Sequence, residues 1–255
     1  MGRKLYMKKF SSALIHFVIG ALLVLVLWSI AHIVMDINVI PSPFTVLAAL
    51  PDLANQNIAT HVYHSFFRVA AALTLSMFIG LAVGICAAGN NIFARILTSF
   101  IYFTYPIPRA ALLPAVMLIF GLTNMSKVIM ITLIVVYPII VVVRDSLNDI
   151  PKQTRNTLIC YGANKLQIFF YITIPWSLTS VISTSRISLG TAVSVLFFTE
   201  AYGTRHGMGF FILDAWMRLN YIQMYAGIVI LSLSGFVLFI IIDMIENIAL
   251  KWKKI

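Results

Sequence analysis

The chain has 255 residues, 61% of them apolar and only 10% charged, with a mean hydropathy of +0.98. Soluble domains carry about a quarter charged residues, so this balance excludes a water-soluble globule, a disordered tail and a nucleic-acid-binding domain. Eighteen Lys and Arg against eight Asp and Glu give a net charge of +10, which in a membrane protein marks the cytoplasmic side before it marks a ligand.

Taken from the N-terminus, Arg3, Lys4, Lys8 and Lys9 precede a run from Ala13 to Met35 that has no formal charge. That run exceeds the ~7–15 residues of a signal-peptide core, and no small-x-small cleavage site follows it. The sequence therefore predicts a first span that is retained. Further apolar runs at 66–89, 96–120, 126–144, 172–200 and 224–245 each approach or exceed the roughly 20 residues that cross a bilayer. The expected fold is all-α, a polytopic membrane protein with about six transmembrane helices. Residues 1–58 would supply a cytoplasmic tail, the first span and an outer loop, and residues 59–255 a five-helix core.

Pro106-Ile107-Pro108-Arg109 interrupts the third run, and Tyr137-Pro138 lies inside the fourth. Prolines at that depth free backbone groups that neighbours or a wet cavity must satisfy, which places Pro106, Pro108 and Arg109 beside a substrate path. The fifth run is too long for a perpendicular crossing and contains Arg186, so it is expected to tilt or emerge into water. Cys86 and Cys160 form no pair at metal spacing. His61 and His64, three apart, lack a third ligand, so no metal is expected.

Charge sets the orientation. With the N-terminus inside, Arg3, Lys4, Lys8, Lys9, Arg95, Arg144, Lys152, Arg155, Lys165, Lys251, Lys253 and Lys254 fall on cytoplasmic segments. Arg68, Lys127, Arg205 and Arg218 fall on outer ones. The positive-inside rule then puts both termini in the cytoplasm. The largest inner loop, 145–171, predicts two short helices. One starts after Pro151, runs Lys152 to Tyr161 and stops at Gly162; the other is opened by Asn164 with Gln167 at capping-box spacing. It is expected to end before Pro175, where the fifth span begins. Leu158, Ile159 and Tyr161 form an apolar patch there, either a docking surface or packing beneath the chain's own bundle.

Gly162 followed by Ile172-Thr173-Ile174-Pro175 resembles the second half of the loop signature E-A-A-x-x-x-G-x(9)-I-x-L-P of binding-protein-dependent ABC importer permeases. Other segments resemble the nitrate, sulfonate, taurine and bicarbonate subfamily. They are Ile40-Pro41-Ser42-Pro43, Ser65-Phe66-Phe67-Arg68-Val69, Tyr105-Pro106-Ile107-Pro108, Leu113-Pro114, Phe120-Gly121-Leu122, Arg186-Ile187-Ser188-Leu189-Gly190, Glu200 and Gly207-Met208-Gly209. The resemblance spans about residues 36–254. Where the family has E-A-A, this chain has Asn156-Thr157-Leu158, so any ion pair made by that Glu is lost here.

This resemblance implies a type I importer permease in a bacterial inner membrane. Asn156, Thr157, Leu158, Ile159, Tyr161, Gly162 and Ala163 would couple it to an ATPase subunit present in two copies. It further implies a second permease copy, a periplasmic or lipid-anchored binding protein, contact with membrane lipid, and no nucleic acid. The chain has no G-x-x-x-x-G-K-[ST] loop, so ATP and Mg belong to the partner and no cofactor is expected in this chain. The solutes the resemblance implies are nitrate, sulfonates, taurine, bicarbonate or a vitamin precursor.

Arg186, inside an apolar run, either faces the translocation path and an anionic solute or pairs internally with Glu200 or Asp243. Arg109 either lines a cavity lip or snorkels and pairs. Glu200 either anchors an outer gate or is a solvated helix end. A stand-alone secondary transporter or channel using Arg186 and Glu200 is the alternative; it should show internal repeats with paired broken helices, and no repeat of the Pro-Ile-Pro segment is seen.

Overall fold

The computed structural model describes residues 2–250, with side chains over 19–53 and 56–250. The side chains of Arg3, Lys4, Lys8 and Lys9, and the whole of Lys251, Lys253 and Lys254, therefore lie outside the described residues. Within that range every regular element is helical. Residues Met1–Ile58 with Phe211–Val229 make one unit, and Ala59–Phe210 with Ile230–Ile255 make a second.

In the first unit, α1 (Gly2–Met35) leads through a turn to α2 (Pro43–Ala49) and a 3₁₀ segment (Pro51–Gln56). The Ile40-Pro41-Ser42-Pro43 run builds that turn. Trp28 Nε1 donates to the Pro41 carbonyl at 3.1 Å, the Ser42 hydroxyl caps α2 by accepting from Thr45 N at 3.1 Å, and Pro43 fills the first turn where no N–H is needed.

The second unit begins with α3 (Ile58–Ala87), followed by α4 (Ile92–Thr104), a 3₁₀ turn (Arg109–Leu112), α5 (Leu113–Phe120) and α6 (Asn124–Asn148). In α3, Gly80 and Gly84 sit against α6 so closely that a Cβ on Gly80 would lie 2.5 Å from Ile139 Cγ2, and one on Gly84 2.7 Å from Val143 Cβ. Without a hydrophobic drive between helices in lipid, such small residues let backbones approach and van der Waals contact accumulate. α4 and α5 meet at an angle of 83° at the Pro-Ile-Pro break, and together they are long and apolar enough for one broken span or a re-entrant loop. Pro138, by contrast, leaves α6 one helix.

α6 runs on to Asn148, three residues past the start of the expected 145–171 loop. α7 (Lys152–Cys160) and α8 (Lys165–Ile168) follow. Beyond α8 the structure departs from the expected pattern: a π turn (Phe169–Thr173) carries the helix without interruption into α9 (Ile174–Ala201). The π register absorbs the missing N–H of Pro175, so the proline does not end the helix before the span. α10 (Met208–Met217) and α11 (Tyr221–Ala249) complete the chain. α3, α6, Lys165–Ala201 and α11 are each long and apolar enough to cross a membrane, and the bent α4–α5 pair makes a fifth. With α1 they account for the six apolar runs of the sequence.

Candidate functional site

The second unit carries its buried charge at one end, where the start of α3, the start of α6 and the end of α9 meet. Arg68 of α3 donates through Nη1 to Glu200 Oε1 at 2.5 Å and to the His206 carbonyl at 2.8 Å. Its Nε and Nη2 reach Asn124 Oδ1 of α6 at 2.9 and 2.6 Å. The Ser65 hydroxyl lies 2.9 and 2.8 Å from the two Glu200 oxygens and accepts from Met208 N at 2.7 Å. Gly209 N donates to Glu200 Oε2 at 2.9 Å, and Gly207 N to His61 Nδ1 at 3.1 Å. Lys127 donates to the Thr123 carbonyl at 3.1 Å. Arg68, Glu200, Ser65 and Lys127 are all buried.

Burying a charge is costly unless it is paired and its remaining donors and acceptors are satisfied. The glycines make that possible here. A Cβ on Gly207, which has φ +144°, would fall on the Glu200 carboxylate, and one on Gly209 would lie 2.7 Å from the Phe197 carbonyl. Glu200 is therefore no solvated helix end, and Gly207-Met208-Gly209 is the backbone that wraps it. Sequence reasoning named Glu200 as a site residue; Ser65 and Arg68 entered only through the resemblance, Arg68 and Lys127 were placed on outer segments, and Asn124 was not singled out. The available signal was Arg68 sitting three residues after Ser65, one helical turn along the same face of α3.

Arg186 is separate from this cluster. Its Nη2 donates to Asp243 Oδ1 at 2.5 Å and to Glu246 Oε2, two carboxylates one turn apart on α11, and its guanidinium lies 5.5 Å from the Phe239 ring centroid. Of the two internal partners considered, Asp243 is present, Glu200 is taken by Arg68, and Glu246 is additional. Arg109 closes the elbow of the bent span. Its Nη2 donates to the Thr104 and Tyr105 carbonyls, each at 3.0 Å, capping the broken end of α4. The same guanidinium stands 3.5 Å over the Tyr137 ring, whose hydroxyl is 3.0 Å from Thr104 Oγ1. Pro106 and Pro108 lie at the break, and Arg109 bonds the last two carbonyls at the end of α4, Thr104 and Tyr105.

At the other end of the second unit, α7 is held only loosely. Asn156, Thr157, Ile159, Tyr161 and Gly162 are exposed, Tyr161 by 86% and Ile159 by 51%; Leu158 and Ala163 are half-buried. Gly162 takes φ +79°, and the Gly162 and Ala163 amides donate back to the Ile159 and Leu158 carbonyls at 2.9 and 3.0 Å, ending the helix in a left-handed turn. Asn164 and Gln167 form the reciprocal capping box, both bonds at 2.8 Å. Beside α7 lies a cavity of about 900 Å³ between α6 and α9. Ser146, Thr179, Ser180, Ser183, Thr184 and Ser188 contribute hydroxyls to its wall, Tyr171 and Trp176 contribute rings, and among the described residues that line it none is acidic or basic. Ile187, on the open face of α9, is 81% exposed. No group of three His, Cys, Asp or Glu positioned to hold a metal occurs among the described residues.

The family model described as "binding-protein-dependent transport system inner membrane component" matches residues 76–248. The formylaminopyrimidine transport permease protein ThiX of Halalkalibacterium halodurans is 29% identical over 91% of this chain and 94% of its own length. The taurine transport system permease protein TauC of Escherichia coli is 25% identical over 86% and 82%. The nitrate import permease protein NrtB of Synechocystis is 24% identical over 91% and 89%. Among solved structures, a chain of the MetNI methionine ABC transporter in an inward-facing conformation superposes with a TM-score of 0.64 at 20% identity, covering 75% of this chain and 95% of that one.

Proposed function

Because this chain belongs to the family of inner membrane components of binding-protein-dependent transport systems, we propose that two copies of it form the translocation path of the importer and that α7 seats each copy on one of two ATPase subunits. The chain is a transmembrane permease subunit of an ATP-binding cassette importer for a small solute; it is multi-pass in the bacterial inner membrane, and it is not an enzyme. The family works with a separate ATPase and a substrate-binding protein. In our reading ATP and Mg are held by that ATPase and this chain holds no cofactor.

The observation that carries the coupling role is α7 itself. It is an exposed helix, with Ile159 51% and Tyr161 86% exposed, that ends on a glycine in a left-handed turn. An amphipathic helix presented this way suits a groove on a partner. Asn156 stands where relatives place Glu, so apolar contact carries more of the docking. ATP-driven closure of the ATPase pair would then move α7 and, through the continuous α8–α9 helix, the path along the Ser180–Ser183–Ile187 face. Truncating a Leu costs about 2–5 kcal/mol in a packed core and less at a partly wet interface. Leu158→Ala and Gly162→Val should each release the ATPase or uncouple hydrolysis from transport while the permease still inserts. Co-purification followed by solute-stimulated ATPase activity in liposomes measures this; wild-type behaviour in both variants would remove α7 from the mechanism.

For the solute, the hydroxyl and aromatic lining of the α6–α9 cavity and the similarity to the ThiX permease support an aminopyrimidine rather than an inorganic anion. Uptake of labelled formylaminopyrimidine, taurine and nitrate by cells carrying the whole system separates these; nitrate uptake alone would reverse the assignment.

A further inference from the structure

We infer that Arg68 and Glu200 are a positioning pair, fastening the connection between α9 and α10 to α3, α6 and α9 so that a load on that connection is delivered to α9. The inference rests on the permease reading above, in which this end of the unit faces the side from which solute arrives.

Four consecutive residues, the last two of the connection and the first two of α10, have backbone groups taken by buried side chains. The His206 carbonyl is held by Arg68, Gly207 N by His61, Met208 N by Ser65, and Gly209 N by Glu200. Thr204 Oγ1 adds a bond to the Glu200 carbonyl. The outer face of the same segment, with Tyr202, Arg205 and His206, is exposed. An exposed turn ordinarily leaves its backbone to water; here the outer surface is exposed while the backbone is held by bonds to Arg68, His61, Ser65 and Glu200. Glu200 stands at the last turn of α9, and that helix runs unbroken back to Lys165, three residues beyond Gly162. The arrangement also explains why the cation is arginine. One guanidinium bonds Asn124 on α6, Glu200 on α9 and the His206 carbonyl on the connection, whereas a lysine ammonium is a single point charge that cannot span the three.

The test uses the assembled importer in proteoliposomes, with its ATPase and binding protein, and the variants Arg68→Lys, Arg68→Met and Glu200→Gln. The readouts are ATPase activity with and without binding protein, and the mobility of a nitroxide at Tyr202→Cys. Arg68→Lys should assemble and hydrolyse ATP without binding protein within about twofold of wild type, while stimulation by binding protein falls about tenfold and the nitroxide loosens. Glu200→Gln should behave alike, and Arg68→Met more severely. Wild-type stimulation in Arg68→Lys would overturn the inference, and so would equal loss of both activities, which would mean that the pair only holds the fold. A wild-type complex that binding protein does not stimulate would instead count against the permease reading.

Discussion

At the scale of single residues, the chain handles charge within its apolar runs by pairing it. Arg186 is the informative case, because its sequence position allowed a solute contact and the structure supplies two carboxylates instead. Removing the cation leaves Asp243 and Glu246 facing each other with nothing between them, and like charges at one helical turn repel. Arg186→Met should therefore reduce transport and lower the melting temperature in detergent. The triple variant Arg186→Met, Asp243→Asn, Glu246→Gln should recover most of the stability, because neutralising every member of a half-buried ionic cluster costs less than orphaning two carboxylates. If stability returns and transport does not, Arg186 touches the solute after all. Glu200 and Arg186 were legible as important because an ionisable group in an apolar run is conspicuous. Which partner each had chosen was not, because Arg68 lies 132 residues from Glu200 in sequence and no local pattern encodes that pairing.

At the scale of elements, the third span and the α3–α6 contact show what holds the helices in register. At the elbow around Pro106–Pro108, Arg109 bonds the Thr104 and Tyr105 carbonyls and rests on Tyr137. Arg109→Leu should loosen it, seen as faster thiol labelling of Ile107→Cys; Arg109→Lys should restore part of the protection, since an ammonium still reaches one carbonyl. Along α3, Gly80→Val forces branched carbons into Ile139, and overpacking of this kind costs about 1–3 kcal/mol. The expected result is a clear drop in detergent melting temperature. Gly20→Ala in α1, where no atom lies within 4 Å of the new carbon, should change nothing measurable. The proline break, the capping box at Asn164 and the stop at Gly162 could all be read from the sequence because each is local chemistry. The continuity of α8 into α9 could not, since a proline at position 175 argues for a boundary and only the neighbouring π turn removes the need for one.

At the scale of the whole molecule, the distribution of basic residues makes a claim that the helices alone do not. Both termini should be cytoplasmic, so a reporter fused after Ile255 should be active in the form that reads the cytoplasm, and one inserted at Asn57 in the form that reads the outside. A C-terminal reporter found outside would put α7 on the wrong side of the membrane for an ATPase to reach it. Span number and fold class were legible because bilayer thickness fixes span length and a charge-poor composition leaves few alternatives. The solute was not, because the residues that line the α6–α9 cavity come from separate helices and no local pattern in the sequence brings them together.

The unbroken helix from Lys165 to Ala201 has 37 residues, which at about 1.5 Å each makes a rod of roughly 55 Å in a hydrocarbon layer of about 30 Å. Such a rod acts as a lever, and a tilt of about ten degrees about one end carries the other by roughly 10 Å. It is also a phase marker. Each residue turns the helix by about 100° and lengthens it by about 1.5 Å, so one residue inserted between Ser188 and Ser194 would rotate Glu200 away from Arg68, and seven would restore its angle but carry it about 10 Å along the axis. The ion pair at the far end therefore fixes this helix in length as well as in phase.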